Sequence, residues 1–111
     1  MTNIHVTFTR DPKLIRNKQL GDYFKAEDGS WKFFIYDTGN WKYNILIYLH
    51  ELIEFSLAES QDIPEPIIAE FDSWFEGMKF DGEPGDHPDS PYREIHRTAE
   101  NFERLFVEKL S

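Results

Sequence analysis

From Trp41 to Ser60 the chain contains neither glycine nor proline, and it is preceded by Asn40, a residue whose side chain suits the position just outside a helix. That stretch reads as one continuous helix, and the residues on it fall on faces set by a step of about 100° each. A second helix is expected from Asp62, with Asp62 and Glu65 in capping-box positions and Pro64 in the first turn, ending at Gly77. A third opens with Ser90 as cap and Pro91 behind it, and runs from about Tyr92 to Leu110. Between the last two, residues 77–90 are polar and hold Gly82, Pro84, Gly85 and Pro88, which predicts a long ordered loop or lid.

The first third follows a different period. Ile4, Val6 and Phe8 alternate with His5, Thr7 and Thr9, as in a half-buried strand. Asp22–Lys25 and Trp31–Asp37 flank Glu27-Asp28-Gly29-Ser30, a hairpin signal. The expectation is an α+β fold: a small N-terminal antiparallel sheet of about three strands packed on three C-terminal helices, in a single domain over residues 1–111.

Composition narrows the chemistry. With 40% hydrophobic and 16% aromatic residues, the chain has the material for a core. Absence of cysteine excludes disulfides, thiolate metal ligands and a thiol nucleophile, and fits a reducing compartment. Residues 1–10 carry no basic region followed by an apolar run, so no signal peptide is expected and the cytoplasm is the expected location. The longest apolar run, Ile45–Leu49, is far short of the ~20 residues that cross a bilayer, so no membrane association is expected. The net charge of −9, without a basic run, disfavours nucleic acid and favours cations or basic partners. Oligomeric state is left open. No duplex DNA should be retained at physiological salt, and salt-sensitive micromolar binding of a DNA probe would contradict that.

On the first helix His50 and Glu54, four residues apart, share a face with Tyr43, Leu46, Ile47, Ile53 and Leu57. An ionisable pair inside an apolar stripe needs compensation, because an unpaired buried charge costs several kcal/mol. On the last helix His96 and Glu103 lie at the edge of a side formed by Tyr92, Ile95, Ala99, Phe102, Phe106 and Leu110, and Glu100 points further from its centre. If the helices pack together, the four groups converge. One answer is a divalent metal held by His50, Glu54, His96 and Glu103; nitrogen and oxygen donors without sulfur suit zinc, iron(II) or manganese(II). The other is a His–carboxylate hydrogen-bonding network without metal.

Glu51 is either a general base towards an activated water or a solvated glutamate near the polar side. Asp86, His87 and Asp89 are possible further ligands, although turn formation accounts equally for the two aspartates and His87 is expected to be an exposed loop residue. Asp72 either reaches the site or bonds Arg93 or Arg97, the second being favoured, and His5 is expected to be a plain strand residue.

The segment His50-Glu51-Leu52-Ile53-Glu54 resembles the zincin metalloprotease helix, with Glu54 where that family has its second histidine. More broadly, this segment with Phe71-Asp72, Glu83-Pro84-Gly85-Asp86-His87-Pro88, Pro91-Tyr92, His96 and Glu103 resembles a family of small uncharacterised proteins of phage and bacterial genomes. The resemblance covers the chain from about Gly39 onward, extends to Leu20-Gly21-Asp22-Tyr23, and implies that the motif residues form one unit.

Two functions follow as expectations. The first is a divalent-metal-binding protein that can act as a metal-dependent hydrolase, with Glu51 as its catalytic base. The second is an acidic, phage-type accessory protein binding a basic protein partner, in which the His/Glu cluster only fixes helix packing.

Overall fold

A computed structural model describes residues 2–110. It has three strands, β1 (Ile4–Thr9), β2 (Gly21–Lys25) and β3 (Trp31–Tyr36), followed by three helices, α1 (Trp41–Ser60), α2 (Glu65–Glu76) and α3 (Arg93–Leu110). The fold is α+β, as the change of period along the chain predicts. β2 and β3 form the expected hairpin, with Gly21 opposite Ile35 and Lys25 opposite Trp31. Gly29 takes the left-handed conformation at its turn, with φ 86°, and Asp28 accepts from both the backbone N–H and the hydroxyl of Ser30.

β1 corrects the expectation of a purely antiparallel sheet. It joins the far edge of β3 in parallel register, Ile4 beside Trp31 and Thr9 beside Tyr36, giving the order β1-β3-β2. Alternation of side chains identifies a strand but carries no direction; direction depends on the connection. Here residues 10–20 cross over through two short 3-10 turns, Pro12–Leu14 and Arg16–Lys18. Arg16 anchors that crossover: its guanidinium grips Asp22 through two hydrogen bonds of 2.8 and 2.9 Å and also pairs with Glu65 at the start of α2.

α1 lies between the sheet and α3. Phe55 packs against Tyr23, Trp31 and Phe33, with ring centroids 4.8–5.6 Å apart, and Tyr48 meets Phe33 edge-on. Such aromatic pairs add about 0.5–1.5 kcal/mol each beyond their buried area. The other side of α1 carries His50, Glu54 and Ala58 towards α3, so the helix is covered on two sides. Ala58 joins Ile68, Tyr92 and Ile95 in a second cluster that holds α2 and α3 to it.

Three further expectations are revised. α2 begins at Glu65 behind Pro64, and Asp62 sits in a left-handed turn with φ 56°, so no capping box forms at Asp62. Pro64 disfavours helical geometry at Ile63, which stops the helix from extending backward. Asp72 is buried but does not meet Arg93 or Arg97, both of which face solvent; it accepts instead from the Tyr92 hydroxyl at 2.6 Å and from Gln19 at 2.9 Å. Finally, the second half of α3 lies along the start of α1 yet is thinly covered: Phe102 is 56% exposed and Leu105 61%. The apolar stripe of α3 is therefore covered at its start and open at its end.

Burial outweighs its two hydrogen bonds and pushes the Asp72 carboxyl up to about 6. The folded chain holds this proton more tightly than the unfolded one, where the carboxyl titrates near 3.8. The stability it contributes is thus complete below that value and is lost as pH rises through about 6. Asp72→Asn, which cannot ionise, should gain on the wild type by up to about 3 kcal/mol between about pH 4 and about pH 7. Urea unfolding of both proteins at the two pH values checks it, and a constant difference would contradict it.

Candidate metal centre

α1 and α3 run antiparallel, and the Lys42 ammonium at the start of α1 donates to the carbonyl of Leu110 at the end of α3. The pairing brings His50 and Glu54 against His96. Glu54 Oε2 lies 2.6 Å from His96 Nδ1 and 3.0 Å from His50 Nε2, and the two ring nitrogens are 3.2 Å apart. His50, Glu54 and His96 form a group that could hold a metal ion. Metal–ligand bonds of 2.0–2.2 Å separate neighbouring donors by roughly 3.0–3.5 Å, so an ion needs the Glu54–His96 edge to open by about 0.4–0.9 Å and the other two edges by less. Glu103 stands apart from the triangle. It lies 3.5 Å from Nδ1 of His50, on the opposite edge of that ring.

The other edge of His96 faces a second set of acids. Nε2 has Glu100 at 2.9 Å, Glu83 at 3.0 Å and Asp86 at 3.4 Å. Glu100 comes from the next turn of α3, while Glu83 and Asp86 come from the 3-10 turn Pro84–Asp86 and the residue before it. Asp86 braces that turn by accepting from the backbone N–H of Glu83 at 3.1 Å. Gly85 packs against the His96 side chain: a Cβ there would fall 2.2 Å from its Cγ. Despite three nearby carboxylates, Nε2 is buried without a hydrogen-bond partner.

Burial lowers the pKa of both imidazoles, but their carboxylates prevail. Glu103 and Glu54 take His50 up to about 11, and Glu54 and Glu83 take His96 up to about 10. Burial likewise raises Glu54, yet the two histidines bring it below its usual value. Even with both rings charged, two positive groups stand against Glu54, Glu83, Asp86, Glu100 and Glu103.

Glu51 is not on a polar side. It runs along β2, where a Cβ on Gly21 would fall 2.6 Å from its Cγ, and burial together with the charge of Glu54 raises its pKa well above the carboxylate range. Glu51, His50, Glu54 and His96 all line a cavity of about 820 Å³, within the range of small-molecule sites. Eight carboxylates and one lysine, Lys18, contribute to its wall.

Of the loop residues, Asp86 reaches His96, whereas His87 and Asp89 do not belong to the cluster. His87 is not an exposed loop residue. Its ring sits among Phe71, Trp74, Phe75 and Phe80 at 4.9–6.2 Å, and its Nδ1 accepts from the backbone N–H of Asp89 at 3.0 Å. It pins the loop to α2. Glu83 and Glu100 were not among the ligands expected from sequence. The i, i+4 spacing of His96 and Glu100 was the available signal for one, and the Glu83-Pro84-Gly85-Asp86 turn for the other.

Compared with models of protein families, curated proteins and solved structures, the chain matches none of them.

Gly85→Ala should force the turn off His96, costing about 1–3 kcal/mol as overpacking does. Chemical denaturation and protease sensitivity across residues 77–90 report it; unchanged values for both would mean that the loop does not rest on His96.

Proposed function

We propose that this protein binds a divalent metal ion through His50 Nε2, Glu54 and His96, and that the ion serves hydrolysis of a substrate held in the adjoining cavity. The observation that carries the reading is the convergence of these three buried groups from two helices at the wall of a ligand-sized cavity. Two nitrogens and one oxygen suit zinc, iron(II) or manganese(II). Glu103 fits the role of a carboxylate behind the ligand, accepting from Nδ1 of His50 and fixing that ring.

When bound, a divalent ion supplies Lewis acidity and makes water a nucleophile near neutral pH. Glu51 is one residue from His50 and opens on the same cavity; burial and Glu54 hold its carboxyl protonated, and the charge of a bound cation would favour the ionised form, in which it can accept the proton of that water. The wall of carboxylates disfavours anionic substrates and supports neutral or cationic ones.

A second reading is the acidic interaction protein, with the cluster as a packing network. Exposed Trp41, Tyr43, Phe102 and Leu105 favour it, since apolar surface of this kind marks contact sites when contiguous.

Protein purified without an affinity tag should contain stoichiometric metal, and a chelator should lower its melting temperature. At free metal a thousand times Kd the stabilisation amounts to about 4 kcal/mol. His96→Ala should abolish binding, whereas Glu51→Gln should keep the metal and lose only hydrolysis. A metal-free chain whose melting ignores chelator, zinc and manganese would overturn the reading and leave the interaction protein in first place.

A further inference from the structure

His96 presents two edges, and only one is used by the triangle with His50 and Glu54. The 2.6 Å contact of Nδ1 with Glu54 is a hydrogen bond, so in the neutral ring the proton sits on Nδ1 and the lone pair on Nε2. In the charged ring Nε2–H faces Glu83, Asp86 and Glu100 at 3.0, 3.4 and 2.9 Å; in the neutral ring a lone pair faces the same three acceptors, which offer it no hydrogen, so a cation bound here takes the place of a proton. His96 is only 4% exposed, and Nε2 has no hydrogen-bond partner of its own. Four electron-rich donors, one of them a buried orphan, thus face a common point, with all ligand atoms within 4.8 Å of one another.

We propose that this edge of His96 is a second divalent-cation site, formed by Nε2 and the carboxylates of Glu83, Asp86 and Glu100, and that its occupancy fastens the 77–90 loop to α3. Three features carry the assignment. The arrangement of a carboxylate holding one ring N–H while the other nitrogen faces the ion is the usual one for metal-bound histidine, and Glu54 supplies that carboxylate here. The donor set, three oxygens and one nitrogen, selects a harder ion than the triangle does, manganese(II) or another oxygen-preferring cation. Two of the oxygens come from the loop and the third from α3, so the ion cross-links elements that otherwise meet through the Gly85 contact.

The opposite face of the ring is not needed for this. A neutral imidazole has one lone pair, so filling the Nε2 site leaves Nδ1 as a donor to Glu54. The Nδ1 triangle and the Nε2 site therefore exclude each other while the ring keeps its one proton, and ions at the two edges compete for His96.

Manganese(II) is the probe, followed by loss of the free-ion electron paramagnetic resonance signal, with zinc run in parallel by its effect on melting. The wild type should bind manganese and become resistant to proteolysis within residues 77–90. Glu100→Gln and Asp86→Asn, both close to isosteric, should each weaken manganese binding at least tenfold and abolish the protection. Each should keep the melting temperature of the metal-free wild type and its response to zinc. Manganese binding that both variants retain, or that the wild type lacks, overturns the second site. The zinc response, absent or present, separately decides the fate of the His50–Glu54–His96 reading.

Discussion

His96 can be buried between α1, α3 and the loop only if each of its ring nitrogens is provided for, and most of the architecture of the C-terminal half answers to that requirement. Glu54 meets Nδ1 from the facing helix, which fixes how α1 and α3 cross. Gly85 must be glycine for the loop to lie on the ring, which brings Glu83 and Asp86 to Nε2. The loop in turn is held down at its far end by His87 in the aromatic cage of α2. One imidazole thereby couples all three helices. A buried polar network of this kind specifies a single packing when satisfied and is costly when a member is left without a partner.

α1 makes that coupling possible by having two buried sides. Phe55 and Tyr48 pack on the sheet, while His50 and Glu54, on another side, pack on α3. The aromatic contacts fix the helix on the sheet, so the ionisable pair is presented from a backbone that does not have to move to receive a ligand. The Arg16 clamp between β2 and the start of α2 extends the same rigidity to the other wall of the cavity, where Asp72 is held by Tyr92 and Gln19.

What could be read from the sequence was what depends on period. The unbroken run from Trp41 to Ser60 is one helix, so His50 and Glu54 do share a face, and His96 does fall on the buried side of α3. Features set by tertiary contact were not legible. The direction of β1 depends on the crossover, and the partner of Asp72 depends on Tyr92 facing inward where Arg93 and Arg97 face solvent. The burial of His87 depends on four aromatic rings that reach it from α2 and the loop. Glu103 has the right projection but stands beyond His50 because the ring intervenes. On α3 the same periodicity misled in the other direction: Phe102 falls on the apolar side by projection but is 56% exposed.

The distribution of charge bears on the ligand more directly than the net value of −9 does. An acidic protein usually spreads its carboxylates so that water screens each of them. Here eight line one cavity, and Glu54 is almost fully enclosed. Mutual repulsion at such spacing has two remedies: protons or cations. Glu51 and Asp72 take the first, since burial raises the pKa of both. For Glu54 the balance tips the other way, because two imidazoles hold it ionised. The carboxylates divide accordingly into those the fold keeps partly neutral and those it keeps charged beside a histidine. Glu54, of the second kind, stands where α1 meets α3 at His96.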